Sequence, residues 1–163
     1  MKARARAKGL DIIDFGMGNP DSASPSHVVE KLIEAVQDPR THRYSTSRGI
    51  KGLRRALVRY YKRRFDVDLD AEEEVIVTLG SKEGLANLAS AISAPGDNVL
   101  VPNPSYPIHA YGFIIAGANV QHVPSGPGYD LIKEIHHAVE RSASPPRALV
   151  LNFPNNPTAE VVD

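Results

Sequence analysis

Three short stretches carry residues that could do chemistry: "TLGSKEGL", "VPNPSYPIH" and "NFPNNPT". In the first, Gly80, Ser81 and Lys82 stand where an apolar run gives way to a helical pattern. Backbone N–H groups and the positive end of a helix dipole at such a junction favour an anion such as a phosphate. Gly80 allows close approach of the backbone and Ser81 adds a hydroxyl, although the same residues would also make an ordinary capped helix. This is not a Walker A loop, because the first glycine and the Ser or Thr after the lysine are missing, and no GxGxxG fingerprint occurs. In the second stretch, Tyr106 stands among Pro102, Pro104 and Pro107. Prolines hold an aromatic face in one place, where it can stack on a planar ligand or pack on the domain surface. In the third, Asn155 and Asn156 offer amides that could donate to an oxyanion or a phenolate, and Asn-Pro is equally a turn former.

The remaining composition narrows the chemistry. The 163 residues are enough for a domain with its own core, and 42% hydrophobic with 23% charged is ordinary for a globular protein. Nineteen Lys and Arg balance nineteen Asp and Glu, so net charge gives no push toward nucleic acid or an anionic membrane. The absence of cysteine excludes disulfides and thiolate metal sites and fits the cytoplasm. The basic N-terminus leads into no signal-peptide core, and no apolar run approaches a membrane span. His27, His42, His109, His122, His136 and His137 show no metal-ligand spacing, and no role is assigned to them. The basic residues from Lys51 to Arg64 read as a solvated face, because "DVDLDAEEE" follows at once and offsets them.

Elements must position the three stretches. After an irregular loop, Ser24 and Pro25 read as an N-cap and first helical residue, with Val28, Val29, Leu32, Ile33 and Val36 as an apolar stripe. A second helix is predicted from about Ile50 to Phe65. From Glu74 the pattern alternates. Strands are predicted at "VIVTL", "NVLVP", "ANVQHVP" and "RALVLNF". Helices are predicted at Ser81–Ile92, in "SYPIHAYGFIIAG" with Pro107 in its first turn, and at Leu131–Ser142. This order implies an α/β layer with a mostly parallel sheet flanked by helices. In such sheets ligands sit beyond the carboxyl ends of the strands, where the three polar stretches fall.

Together, "DFGMGNPD", "YSTSRGIKGLRRAL", "VTLGSKEGL", "VLVPNPSYPIH" and "LNFPNNPTA" resemble the fold-type I, class I/II aminotransferases, which use pyridoxal 5'-phosphate. The likeness runs from about Asp11 to the last residue and is nearest to the bacterial alanine (glutamate–pyruvate) transaminase branch. The family at large has glycine after "NPT"; here Ala159 stands there, as is usual in that branch. The resemblance implies that backbone amides at Gly80, Ser81 and Lys82 cradle the cofactor phosphate, that Tyr106 stacks on its ring and that Asn156 hydrogen-bonds its phenolic oxygen and helps place the substrate. It implies that Tyr44 reaches the phosphate in the neighbouring subunit of a homodimer and that Gly18 lies near the substrate carboxylate. The implied reaction is amino transfer between an amino acid such as alanine or glutamate and a 2-oxo acid.

The resemblance also sets expectations about what lies outside the chain. The family's Schiff-base lysine, the acid at the pyridine nitrogen and the carboxylate-binding arginine come after "NNPT". None of Lys2, Lys8, Lys31, Lys51, Lys62, Lys82 and Lys133 stands in the Schiff-base context. No catalytic residue is therefore assigned, and the chain is expected to be a fragment, inactive alone. Residues 1–45 would be a small-domain lead-in and residues 46–163 the first half of the large cofactor domain. "VIVTL" and "VLVLN" are expected to lack strand neighbours, the latter because a later strand would separate it from "NVLVP". Two rivals stand beside this reading: a non-catalytic regulatory or binding domain on the same fold, and a nucleic-acid binder using the basic second helix.

Overall fold

The structure is a computed structural model and describes residues 2–13, 18 and 20–162. Of the "DFGMGNPD" motif, Gly18, Pro20 and Asp21 fall within the described residues and the others lie outside them. The chain divides into two compact units, Met1–Ser45 and Thr46–Asp163.

The first unit holds α1 (Lys2–Arg6) and α2 (Ser26–Gln37), the latter followed by a 3-10 turn at Pro39–Thr41. Helix α1 has no counterpart among the helices predicted from apolar spacing; its alanine, lysine and arginine are good helix formers. Helix α2 starts one residue later than expected. Pro25 keeps an extended ψ of 139° while its carbonyl accepts from Val28 N at 2.9 Å, so Pro25 is the cap residue and Ser24 lies outside. At the other end, side chains satisfy the last carbonyls. Thr41 Oγ1 donates to Ala35 O at 2.7 Å, and a His42 ring nitrogen bonds Val36 O at 2.7 Å. The stripe Val28, Val29, Leu32, Ile33 and Val36 is amphipathic as predicted but exposed.

The second unit carries α3 (Lys51–Phe65), α4 (Ser81–Ile92), β1 (Asn98–Asn103), α5 (Pro107–Ile115), β2 (Asn119–Pro124), α6 (Leu131–Arg141) and β3 (Ala148–Leu149). The strands form one parallel sheet in the order β2-β1-β3. A central parallel strand is covered on both faces and so reads as an unbroken apolar run. Successive side chains of β1 divide between the faces. Val99 and Val101 pack with Ala89 of α4 and with Ala110 and Phe113 of α5. Leu100 packs on the other face with Val123 and with Ala138 of α6. The sheet therefore lies between α4/α5 and α6, and it aims the ends of β1 and β2 at one edge.

Two strand expectations are corrected. "VIVTL" makes no ladder: Val75 to Thr78 is irregular, and its one backbone bond to a distant residue runs from Val77 N to Arg48 O at 3.1 Å. Its apolar residues signal burial, and only Val75 is buried, while Ile76 and Leu79 are exposed. A strand also needs a neighbour to bond, and none is present among the described residues. The last strand does have one. Ala148 and Leu149 pair directly with Val99 and Leu100, so no later strand intervenes. Arg147 N to Asn98 O (2.7 Å) and Val150 N to Leu100 O (3.0 Å) extend that pairing beyond the two-residue strand.

The basic face of α3 is also less uniform than its composition implies. Arg54 is buried, donating to Ala71 O at 3.0 Å and to Glu72 Oε2 at 3.0 Å. Lys51, Arg55, Arg59, Lys62, Arg63 and Arg64 are exposed, and Lys62 pairs with Asp66 and Asp68 at 2.7 Å each. The acidic segment thus folds back on the helix that precedes it. Arg54→Ala removes two bonds and leaves the Ala71 carbonyl without its partner. It is expected to lower stability by about 1–3 kcal/mol, read as a shift in the urea midpoint, whereas Arg55→Ala should shift it little.

Candidate cofactor site

The site forms where α4 and α5 begin and β3 ends. Gly80 caps α4 with φ +86°, a conformation that costs glycine little and other residues more. No side chain caps the first turn by the usual oxygen-to-amide bond, so the amides at the start of α4 remain donors without a capping side chain. Glu83 reaches back instead to Leu79 N. Tyr106 is the cap residue of α5, and Pro107 occupies its first turn, as the sequence indicated.

A cleft of about 440 Å³ joins these ends; Ser81, Lys82, Tyr106, His109, Asn152 and Asn156 line it, over an apolar floor that includes Leu85 and Val150. Four of the sequence-predicted residues, Ser81, Lys82, Tyr106 and Asn156, are thus brought together, with Gly80 adjoining. Lys82 Nζ lies 5.2 Å from the Tyr106 ring centroid, so the cation faces the aromatic surface. Tyr44 and Gly18 belong to the Met1–Ser45 unit, where both are exposed.

The paired asparagines have separate positions. Asn156 is exposed on the cleft, whereas Asn155 is buried. Asn155 Nδ2 donates to Pro104 O at 3.2 Å, its backbone N donates to Glu160 O at 2.8 Å, and its carbonyl accepts from Ala159 N at 2.7 Å. It therefore closes the turn that presents Asn156 and ties that turn to the Tyr106 loop.

His109 was given no role from sequence, yet it lines the cleft, with its ring edge-on to Tyr106 at 6.1 Å. The signal was available: positions three apart share a helix face. Burial holds the His109 imidazole below the ordinary histidine pKa of 6.5. The unfolded chain therefore takes up this proton first as pH falls, and the corresponding stability, complete above about pH 6.5, is lost below it. His109→Gln should flatten the dependence of the melting temperature on pH between about pH 5 and 7. An unchanged slope would remove this assignment.

Among the described residues no group of three or more His, Asp or Glu is placed to hold a metal, and no helix is long and apolar enough to cross a membrane.

The arrangement suits a planar, phosphorylated group. Amides without a capping side chain, a hydroxyl and an ammonium offer donors to an anion, and an aromatic face and a carboxamide line the same cleft. Comparison with known proteins shows the family. The family model for aminotransferase class I and II matches residues 10–163, and the chain belongs to that family, whose members use pyridoxal phosphate. It is 58% identical over 161 residues to a putative aminotransferase, AatC, of Rhizobium meliloti, covering 99% of this chain and 40% of that protein. It is 56% identical to the glutamate–pyruvate aminotransferase AlaC of Escherichia coli, covering 100% of this chain and 40% of that protein. A solved single mutant of Thermus thermophilus aspartate aminotransferase aligns with TM-score 0.85 at 33% identity, over 98% of this chain and 41% of the other. The chain thus spans about 40% of the length of these curated relatives.

Proposed function

We propose that this chain is the cofactor-cradling part of a pyridoxal-phosphate-dependent aminotransferase that moves an amino group between an amino acid, alanine or glutamate in the first instance, and a 2-oxo acid. The observation that carries the proposal is the convergence of the uncapped start of α4, Tyr106 and Asn156 on one cleft. The amides of Gly80, Ser81 and Lys82 hold the phosphate, assisted by the Ser81 hydroxyl. Tyr106 fixes the plane of the ring. Asn156 donates to the phenolic oxygen, favouring its ionised form, and helps orient the substrate. When bound, the cofactor supplies an electron sink for the carbon that carries the amino group. In this reading Gly18 lies near the substrate carboxylate, and Tyr44 serves the phosphate site of a second subunit, so the working unit is a homodimer. Residues 1–45 act as the lead-in to the cofactor domain.

The covalent lysine is proposed to lie outside these residues. Lys82 is the lysine on the cleft among the described residues, and its ammonium is engaged with Tyr106. The chain alone is accordingly expected to be inactive. A cysteine-free chain is in keeping with the cytoplasmic location proposed for the whole protein. The name of the Escherichia coli relative supports the alanine and glutamate choice. The test supplies the full-length protein that this reading implies with pyridoxal phosphate, L-alanine and 2-oxoglutarate. Pyruvate and glutamate should form in equal amounts, and no transfer from any amino acid tried would overturn the proposal.

A further inference from the structure

Beside the cofactor cleft lies a void of about 10 Å³, lined by Pro102, Ser105, His109, Ser125, Phe153 and Asn155 among others. Two side-chain atoms of its lining residues, Ser125 Oγ and Asn155 Oδ1, are buried without a hydrogen-bonding partner among the described residues. Each residue is only 8% exposed. Buried polar atoms are rarely left orphaned, since each carries its desolvation cost with nothing to offset it. A space on the order of 10–15 Å³ with polar partners suffices for one water.

The backbone around the void explains why such a water would matter. Ser125 N donates to Asn103 O at 3.1 Å, which ties the end of β2 to the end of β1. Asn155 Nδ2 donates to Pro104 O at 3.2 Å, which ties the Asn156 turn to the same loop. Three chain segments meet here: the loop leading to Tyr106, the exit of β2 and the turn carrying Asn156. We propose that Ser125 Oγ and Asn155 Oδ1 together hold one structural water, and that Asn155, through this water and the Pro104 carbonyl, positions Asn156 relative to Tyr106. Both atoms can serve the same water, because a hydroxyl donates or accepts while a carboxamide oxygen accepts. Ser105 and His109 offer further polar groups on the same wall. Asn155 is thus a positioning residue: it lines the void and not the cofactor cleft.

The water rests on the void and its two unpartnered polar atoms, whereas its effect on the cofactor rests on the proposed function. The test is a high-resolution crystal structure of the full-length protein and its Ser125→Ala and Asn155→Ala variants, joined to pyridoxal phosphate titration followed by visible absorbance. The wild type should show a density peak within hydrogen-bonding distance of both atoms, and Ser125→Ala should lose it. The dissociation constant for pyridoxal phosphate should rise about three- to tenfold in Ser125→Ala. The pH midpoint of the bound cofactor's absorbance should move as well, which a change in stability alone would not produce. If Asn155→Ala fails to fold, Ser125→Ala carries the test by itself. No peak in the wild type overturns the water site. Unchanged affinity and absorbance in Ser125→Ala overturn the positioning role. A wild-type protein that binds no pyridoxal phosphate would instead remove the proposed function, and the peak would still decide the water site.

Discussion

Phe113→Ala should destabilise the Thr46–Asp163 unit by about 3–5 kcal/mol, a large share of the roughly 5–15 kcal/mol that holds a typical domain folded. Phe113 is 2% exposed and packs with Ala89, Val99, Val101, Ala110 and Ala118. Those neighbours are mostly small, so no single side chain can swing in to fill the space the ring leaves. The cavity would open between α5 and the central strand, the two elements that hold the Tyr106 loop between them. Loss of stability and loss of the proposed cofactor cleft should therefore arrive together. Phe113→Leu keeps most of the volume and should cost about 1–1.5 kcal/mol. Urea unfolding with a fluorescent or circular-dichroism probe measures both. A cost below about 1 kcal/mol for the alanine variant would show that this cluster is not the core.

Asn156→Ala in the full-length protein should raise the dissociation constant for pyridoxal phosphate by about ten- to a hundredfold. A hydrogen bond to a charged acceptor contributes roughly 1.5–3 kcal/mol, and the carboxamide is proposed to donate to the phenolate. The exposed position of Asn156 means that its removal leaves no buried orphan in the fold, so the melting temperature without cofactor should hardly move. Asn156→Asp makes the sharper comparison. It preserves the shape, replaces the donor by an acceptor and places a negative charge against a negative oxygen, so it should bind more weakly than alanine. Binding by the aspartate variant as tight as wild type would remove the donor role.

Much of the candidate cleft's layout was legible in the sequence. Helix α4 begins and ends where its pattern placed it, because Gly80 and the apolar spacing after it agree on one boundary. Pro107 marked the start of α5 for a similar reason: a fixed φ and a missing N–H suit only the first turn. What escaped notice depends on distant partners. For "VIVTL" the missing neighbour was expected, but not that without one the apolar run would form no strand at all. The direct pairing of β3 with β1 was likewise invisible, since nothing local in "RALVLNF" names its partner. Arg54 looks like its basic neighbours in sequence and is distinguished only by Ala71 and Glu72, which lie 17 and 18 residues away. Asn155 and Asn156 are chemically identical, and only the backbone turn decides that one is buried under the loop while the other faces the cleft.

The central claim is that this chain holds the cofactor and does not bond to it covalently. Full-length protein loaded with pyridoxal phosphate, reduced with borohydride, digested and mapped by mass spectrometry tests this directly. The account predicts a stoichiometric pyridoxyl adduct on a lysine outside these 163 residues, with Lys2, Lys8, Lys31, Lys51, Lys62, Lys82 and Lys133 unmodified. An adduct on any of those seven, Lys82 above all, or no stoichiometric adduct on the protein, would contradict it.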